Sequence, residues 1–173
     1  MDIKIQKQLT ANDYIAAQFL HLSWRFYALM GVLFFVLFVA GDYVWDPENF
    51  GSGWIFGVGL WVIWFSIFSV VHVWEVKRRA RKTYAQQKTL RVVHENRITD
   101  DMLSTHSEMG DVRHKWIDFH KWKANKGMIL VYLSDRMFVM FPRRSFASTD
   151  EFEDLQKLLT NIIGPAGKAK KPS

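Results

Sequence analysis

The sequence predicts a membrane α-helical hairpin joined to a small α+β domain, in which an antiparallel sheet is closed by a C-terminal helix. Two uninterrupted apolar runs, Trp24–Tyr43 and Trp54–Trp74, support the hairpin. Each run has the ~20 residues with which a helix crosses the hydrocarbon layer of a bilayer. Short β-prone segments with polar breaks follow the second run, and an amphipathic segment follows Ser148, which together indicate the α+β domain.

The length and the composition limit what the chain can be. It has 173 residues, so a hairpin leaves room for one small domain rather than two. The net charge is +6, but several basic residues follow the second apolar run, which favours anionic lipid over nucleic acid as the partner. The chain has no cysteine, which excludes disulfides, thiolate metal sites and a cysteine nucleophile.

These patterns divide the chain into five parts. Residues 1–23 are predicted to hold a strand and the start of a helix, 24–76 the hairpin, 77–88 a basic linker helix, 89–164 a cytoplasmic domain, and 165–173 a disordered basic tail. The two membrane spans are predicted at about 24–43 and 54–74.

Flanking charge predicts the orientation of the hairpin. The loop between the spans carries only acidic charges, at Asp42, Asp46 and Glu48. Cationic residues resist translocation, so both termini should lie in the cytoplasm of a multi-pass plasma (inner) membrane protein. Five basic residues after the second span should also attract anionic lipid, at about 1 kcal/mol each near the surface. They are Lys77, Arg78, Arg79, Arg81 and Lys82.

Aromatic residues lie where the spans would meet the lipid headgroups. Trp24 and Tyr43 bound the first span, and Trp54 and Trp74 bound the second. Amphipathic rings settle at this depth, so these four residues are predicted to be interfacial anchors.

The segment before the first span alternates like a short strand. Ile3, Ile5 and Leu9 fall on one side of Asp2–Leu9. Both ends of the hairpin should emerge on one face of the membrane, so we expect this strand to add to the edge of the domain's sheet. Thr10 with Asp13 then starts a helix that is predicted to run unbroken from about Asn12 to Tyr43.

The segment after the second span should continue as a helix to about Lys82 and then form strands. The predicted strands are Leu90–Glu95, Arg97–Thr99, Met102–Ser107, Asp111–Trp116, Met128–Leu133 and Met137–Phe141. Pro142 should end the last strand, since it cannot donate to a ladder. Ser148 and Glu151 form a capping box that begins a helix with one apolar stripe.

The order of four motifs resembles a known family. They are the tryptophan segment Lys115–Phe119, the apolar hairpin Met128–Phe141, the Pro-basic exit Phe141–Phe146, and the capped acidic start of the last helix with its Leu-Leu end. This arrangement resembles the YcxB-like proteins, which are bacterial membrane proteins with a helical hairpin and a small C-terminal domain. The resemblance implies a strand-rich domain closed by a helix, comparable in build to pleckstrin-homology-like folds, and it implies no activity.

Histidines give one candidate for chemistry. If residues 114–120 form one strand, His114, Asp118 and His120 share a face, and His106 on a preceding strand would join them. Alternatively, a packed Trp116 flanked by surface histidines explains the pattern without a metal. Zincin, nucleophile-elbow and phosphate-loop motifs are missing from the sequence, so we expect no catalytic residue, no metal and no cofactor.

Two adjacent arginines give a second candidate. Arg143 and Arg144 follow the last strand, and their guanidinium groups could hold a phosphate or a lipid headgroup. The alternative is a set of surface ion pairs with the acidic start of the last helix, at Asp150, Glu151 or Glu153.

The sequence therefore favours a non-enzymatic membrane protein that presents a cytoplasmic interaction or regulatory domain at the bilayer surface. Membrane lipid is the expected partner, while a homo-oligomer or another membrane protein stays open. One alternative is a subunit of a small oligomeric transporter or channel. Another is a membrane-tethered enzyme or metal site that uses the face of His114, Asp118 and His120.

Overall fold

The computed structural model describes residues 2–22, 24–45 and 54–168. Within these residues the chain combines helices with antiparallel sheets, as predicted, and it divides into two compact units. Unit 1 comprises Met1–His21 and Ala80–Ser173, and unit 2 comprises Leu22–Arg79. Unit 1 is therefore built from both segments that flank the two apolar runs.

The first sheet of unit 1 has four strands in the order β1, β2, β3 and β4. They are β1 (Asp2–Gln8), β2 (Val93–Thr99), β3 (Met102–Ser107) and β4 (Gly110–Lys115). The edge strand β1 pairs with β2 along its full length, from Asp2 opposite Thr99 to Gln8 opposite Val93. The prediction that the N-terminal strand adds to the edge of the sheet is confirmed.

The second sheet has three antiparallel strands. They are β5 (Lys121–Asn125), β6 (Met128–Tyr132) and β7 (Phe138–Pro142), with β6 in the centre and all five of its residues buried. The predicted apolar hairpin corresponds to β6 and β7, and Pro142 is the last residue of β7, as its missing N–H requires. Strand β5 was not predicted, because only Trp122 and Ala124 of its residues are apolar.

The prediction of a single sheet closed by the C-terminal helix is wrong, because the chain changes sheets between β4 and β5. Trp116–Asp118 form a 3-10 turn there. The Lys115 N–H donates to the Asp118 carboxylate at 3.1 Å, and the buried Trp116 indole donates to the Thr99 carbonyl at 2.8 Å. These bonds end β4 and fix the turn, so residues 114–120 are not one strand.

The core of unit 1 lies on both faces of the second sheet. Alternate residues of β6, such as Ile129 and Val131, share a cluster with Ile98 of the first sheet. Helix α4 (Thr149–Ile162) contributes its predicted apolar stripe to the same cluster, through Phe152, Leu155 and Leu159. Ser148 caps α4 as predicted, since its hydroxyl accepts the Glu151 N–H at 3.1 Å.

The opposite face of the second sheet is covered by α1 (Ala11–His21). The predicted single helix to Tyr43 is wrong, because α1 ends at His21 and α2 begins at Trp24. The Lys123 ammonium donates to the His21 carbonyl at 2.8 Å, which satisfies an acceptor at the helix C-terminus. A partner 102 residues away in the sequence gives no local signal.

Unit 2 consists of α2 (Trp24–Trp45) and most of α3 (Trp54–Gln86), which pack against each other in antiparallel directions. Phe34 contacts Trp64, and Tyr27 contacts His72, with ring centroids 5.1 and 5.2 Å apart. Gly57–Gln86 is long and apolar enough to cross a membrane, whereas Tyr27–Gly41 is a shorter apolar helix. The predicted acidic loop at Asp46 and Glu48 lies outside the described residues.

The end of the chain is ordered further than predicted. Residues 165–168 form a turn in which the Gly167 N–H donates to the Trp122 carbonyl at 2.7 Å. The predicted tail therefore does not begin at residue 165, and its remaining residues, 169–173, lie outside the described part of the chain.

Candidate functional site

The predicted histidine site is not assembled. His114 lies on β4, Asp118 is in the 3-10 turn, where its carboxylate holds a backbone N–H, and His120 precedes β5. His106 pairs instead with the exposed Asp111, and this hydrogen bond raises the pKa of the His106 imidazole. The described residues contain no group of three or more histidine or acidic side chains suited to a metal ion.

The two arginines have different partners. The Arg144 guanidinium pairs with Asp13 and also donates to the Gln8 carbonyl at 2.8 Å. Arg143 donates to the Thr149 hydroxyl at 2.8 Å. Arg144 therefore joins the connection between β1 and α1 to the segment after β7, rather than pairing with the acidic start of α4.

The five basic residues after the second apolar run all lie on α3, and their side chains are exposed. Arg79 pairs with Glu75 at 2.6 Å, and the Arg78 guanidinium lies over the Trp74 ring. Both Trp74 and Tyr43 are largely exposed. Trp24 and Trp54 begin α2 and α3, but their side chains lie outside the described residues.

A pocket that the sequence did not reveal lies at one end of unit 1. Its volume is about 220 Å³, and residues of β1, β2, β3, β4 and β7 line it. The inward side chains of the first sheet change from apolar at one end of the strands to polar at the other. The apolar end holds Ile3, Ile98 and Leu103. The polar end holds Lys7 of β1 and His94 of β2, which lie opposite each other.

Lys7 is the principal group of this pocket. Lys7 is only 5% exposed, and its ammonium donates a hydrogen bond to the Met140 carbonyl at 2.6 Å. The nitrogen also lies 4.2 Å from the centroid of the Phe141 ring. Burial without an acidic partner lowers the pKa of Lys7 to about 7.

The polar neighbours of Lys7 come from the first sheet. His94 Nε2 is 2.7 Å from the Thr89 carbonyl, while its Nδ1 is buried and has no hydrogen-bond partner. Asn96 is 2% exposed and accepts a hydrogen bond from Thr105 at 2.9 Å. The pocket thus combines a buried amine, an unpaired imidazole nitrogen and an ordered amide.

One signal in the sequence points to Lys7. Strand alternation places it on the same side as Ile3, Ile5 and Leu9, so a lysine occupies an inward position. The predicted inward face of the strand included only its apolar members, Ile3, Ile5 and Leu9. Apart from Leu9, the other pocket residues lie on β2, β3, β4 and β7, which are distant from Lys7 in the sequence.

Comparison with known proteins supports the predicted resemblance. Residues 98–159 match the family model described as YcxB-like protein, which confirms the resemblance over that segment, less than half of the chain. The match runs from the end of β2 into α4, so it excludes β1, Lys7 and both apolar helices. Neither a curated protein nor a solved structure matches the chain.

Proposed function

We propose that this chain, which carries a YcxB-like segment, is a multi-pass plasma (inner) membrane protein whose helical hairpin holds a cytoplasmic regulatory or interaction domain at the bilayer surface. The proposed role is non-enzymatic. The four- and three-stranded antiparallel sheets, followed by a C-terminal helix, support a pleckstrin-homology-like build for that domain.

The observation that carries the proposal is the exposed apolar surface of α2 and α3. Only 6% of the most apolar 18-residue stretch of α3 is buried. Leu29 of α2 is 64% exposed, and Val70 of α3 is 69% exposed. A contiguous exposed apolar surface along two helices is unfavourable in water and favourable in lipid. Soluble proteins bury such helices, so a bilayer is the environment that suits them.

The strand pairing in unit 1 supports two crossings of the membrane rather than one. Strand β1 precedes α2, and its partner β2 follows α3, yet the two strands pair along seven residues. Both flanks must therefore lie on the same side of a membrane. If one of the two helices crosses the bilayer, the other must cross it back.

Charge supports a cytoplasmic location for both flanks. The exposed basic residues of α3 are Lys77, Arg78, Arg79, Arg81 and Lys82. We propose that they contact anionic headgroups, with Tyr43 and Trp74 as interfacial anchors. The same role is proposed for Trp24 and Trp54.

The absence of cysteine permits a direct topology experiment. Single cysteines are introduced at Ser52, between the helices, and at the exposed Lys126, between β5 and β6. A membrane-impermeant maleimide should label Ser52→Cys in intact cells and Lys126→Cys only after permeabilisation. Labelling of both from the same side would refute the hairpin.

The contribution of the basic residues of α3 to the topology can be measured separately. Neutralising the five basic residues of α3 to glutamine should increase the fraction of Lys126→Cys that is labelled in intact cells. Neutralising five exposed basic residues of the domain is the matched control and should leave the labelling unchanged. An equal effect of both sets would contradict a topological role for the α3 cluster.

A further inference from the structure

The pocket beside Lys7 has unused hydrogen-bonding capacity. An ammonium group has three N–H donors, and the Met140 carbonyl accepts one of them. The other two have no acceptor among the described residues. His94 Nδ1, on the adjacent strand, is likewise buried and unpaired. Buried polar groups are normally fully paired, so an unpaired imidazole nitrogen beside an ammonium with two unused N–H donors indicates a site for a ligand.

The charge of the pocket defines the kind of ligand. None of the described residues that line it is acidic, so nothing in its wall balances a charged Lys7. Lys7 is the only lysine or arginine among the described residues that line the pocket. A monoanion balances this charge, whereas a dianion would leave a buried excess of negative charge.

Much of the remaining wall of the pocket is apolar. Its apolar members are Leu9, Val112, Phe138, Val139 and Met140, and Thr105 and His114 complete the lining. A volume of about 220 Å³ admits a molecule of several heavy atoms rather than a bare ion. The ligand should therefore have an anionic end and a short apolar body.

We propose that this pocket binds a small monocarboxylate, with its carboxylate on the Lys7 ammonium and its carbon chain against Leu9 and Phe138. The Lys7 ammonium donates to the carboxylate, and the bound anion replaces the missing counter-charge. The contacts that support this site lie within unit 1, so the binding experiment is separate from the labelling experiment on membrane topology.

Binding should depend on pH through the charge of Lys7. Burial lowers the pKa of this lysine to about 7, so the empty pocket loses its cation as the pH rises through neutrality. Only the charged form attracts a carboxylate, so binding should weaken about tenfold between about pH 6 and about pH 8.

Other titratable groups also face Lys7. They are His94 of β2 and His114 of β4, while the lining residues of β3 and β7 carry no titratable side chain. The variants His94→Gln and His114→Gln separate their contribution, because a Lys7 effect persists in both.

The test uses the full chain in detergent micelles with ¹³C-labelled lysine. The Lys7 Cε resonance is assigned by its loss in Lys7→Met and is followed during titration with butyrate, its uncharged analogue butyramide, or inorganic phosphate. Butyrate should shift this resonance saturably, with affinity about tenfold weaker at the higher pH. Butyramide and phosphate should shift it much less.

Three variants keep the result interpretable. Lys7→Met should abolish saturation transfer from protein to butyrate, whereas Lys4→Met, on the outward face of β1, should not. Val112→Phe fills the pocket from a half-exposed position of β4 and should weaken binding with Lys7 intact. An unmoved Lys7 resonance, an equal response to butyramide, or tighter binding of phosphate would overturn the proposal.

Discussion

Replacing Lys7 by methionine should change how the stability of unit 1 depends on pH. Lys7 is buried in the folded protein, where its pKa is about 7, and exposed in the unfolded chain, where the ordinary value is 10.5. Between these two values the unfolded chain binds more protons than the folded one. Stability should therefore rise with pH above about 7, and below about pH 7 Lys7 contributes no further change, since both states are charged.

The size of the effect follows from the two pKa values. From about pH 7 to about pH 8.5, the folded lysine loses its proton while the unfolded lysine keeps it, which increases the free energy of unfolding by about 1.5 kcal/mol. Methionine has a similar length and no titrating group, so Lys7→Met should lack this increase. Other titrating groups are common to both proteins and cancel in the difference.

The measurement is urea unfolding of the full chain in detergent at the two pH values. Pulsed hydrogen exchange with mass spectrometry reports the unfolding of β6 and β7 separately from the apolar helices. Lys4→Met is the matched control, because Lys4 is exposed on the same strand, and it should keep the wild-type pH dependence. An identical pH dependence in Lys7→Met and the wild type would refute the reasoning.

Three further predictions test the packing of each unit. A side chain at Gly57 would overlap the Phe38 ring, whereas the space at Gly59 is open. Gly57→Leu should therefore lengthen the distance between spin labels on α2 and α3, and Gly59→Leu should not. A double-mutant cycle of Arg144→Met and Asp13→Asn, measured by urea unfolding, should give a coupling free energy of about 1 kcal/mol. Additive changes in the free energy of unfolding would contradict a stabilising ion pair. Deleting residues 2–9 should accelerate hydrogen exchange throughout β2, while deleting residues 169–173 should leave that rate unchanged.

Local patterns predicted the elements whose stabilising contacts are also local. The Ser148 cap of α4 and the Glu151 N–H that it accepts lie within four residues, and the alternation of Ile3 and Ile5 is visible within β1. By contrast, the stretch from Trp116 to Phe119 has the composition of a strand. Its actual turn depends on the distant Thr99 carbonyl, which accepts the Trp116 indole N–H. Composition cannot distinguish these two outcomes.

The Lys7 pocket shows a different limit. A single inward lysine is visible in the alternation of β1, but its meaning depends on what surrounds it. An acidic neighbour would have made it a buried ion pair, and an open edge would have left it in water. Its actual surroundings are the Met140 carbonyl, 133 residues away in the sequence, and the unpaired Nδ1 of His94.

If the helical hairpin inserts into a membrane as proposed, the position of β1 in the chain makes completion of the domain depend on that insertion. Strand β1 is synthesised before α2, but its partner β2 is synthesised only after α3. The pairing of Asp2 with Thr99 can therefore form only after both helices have been made. If the hairpin crosses the membrane as proposed, β1 and β2 meet only when both helices have inserted and the flanks share one side. A chain with a single crossing would leave β2 with an open edge, the pocket without Lys7, and Asp13 without Arg144. Correct topology and an intact ligand pocket are therefore linked by the same strand pairing.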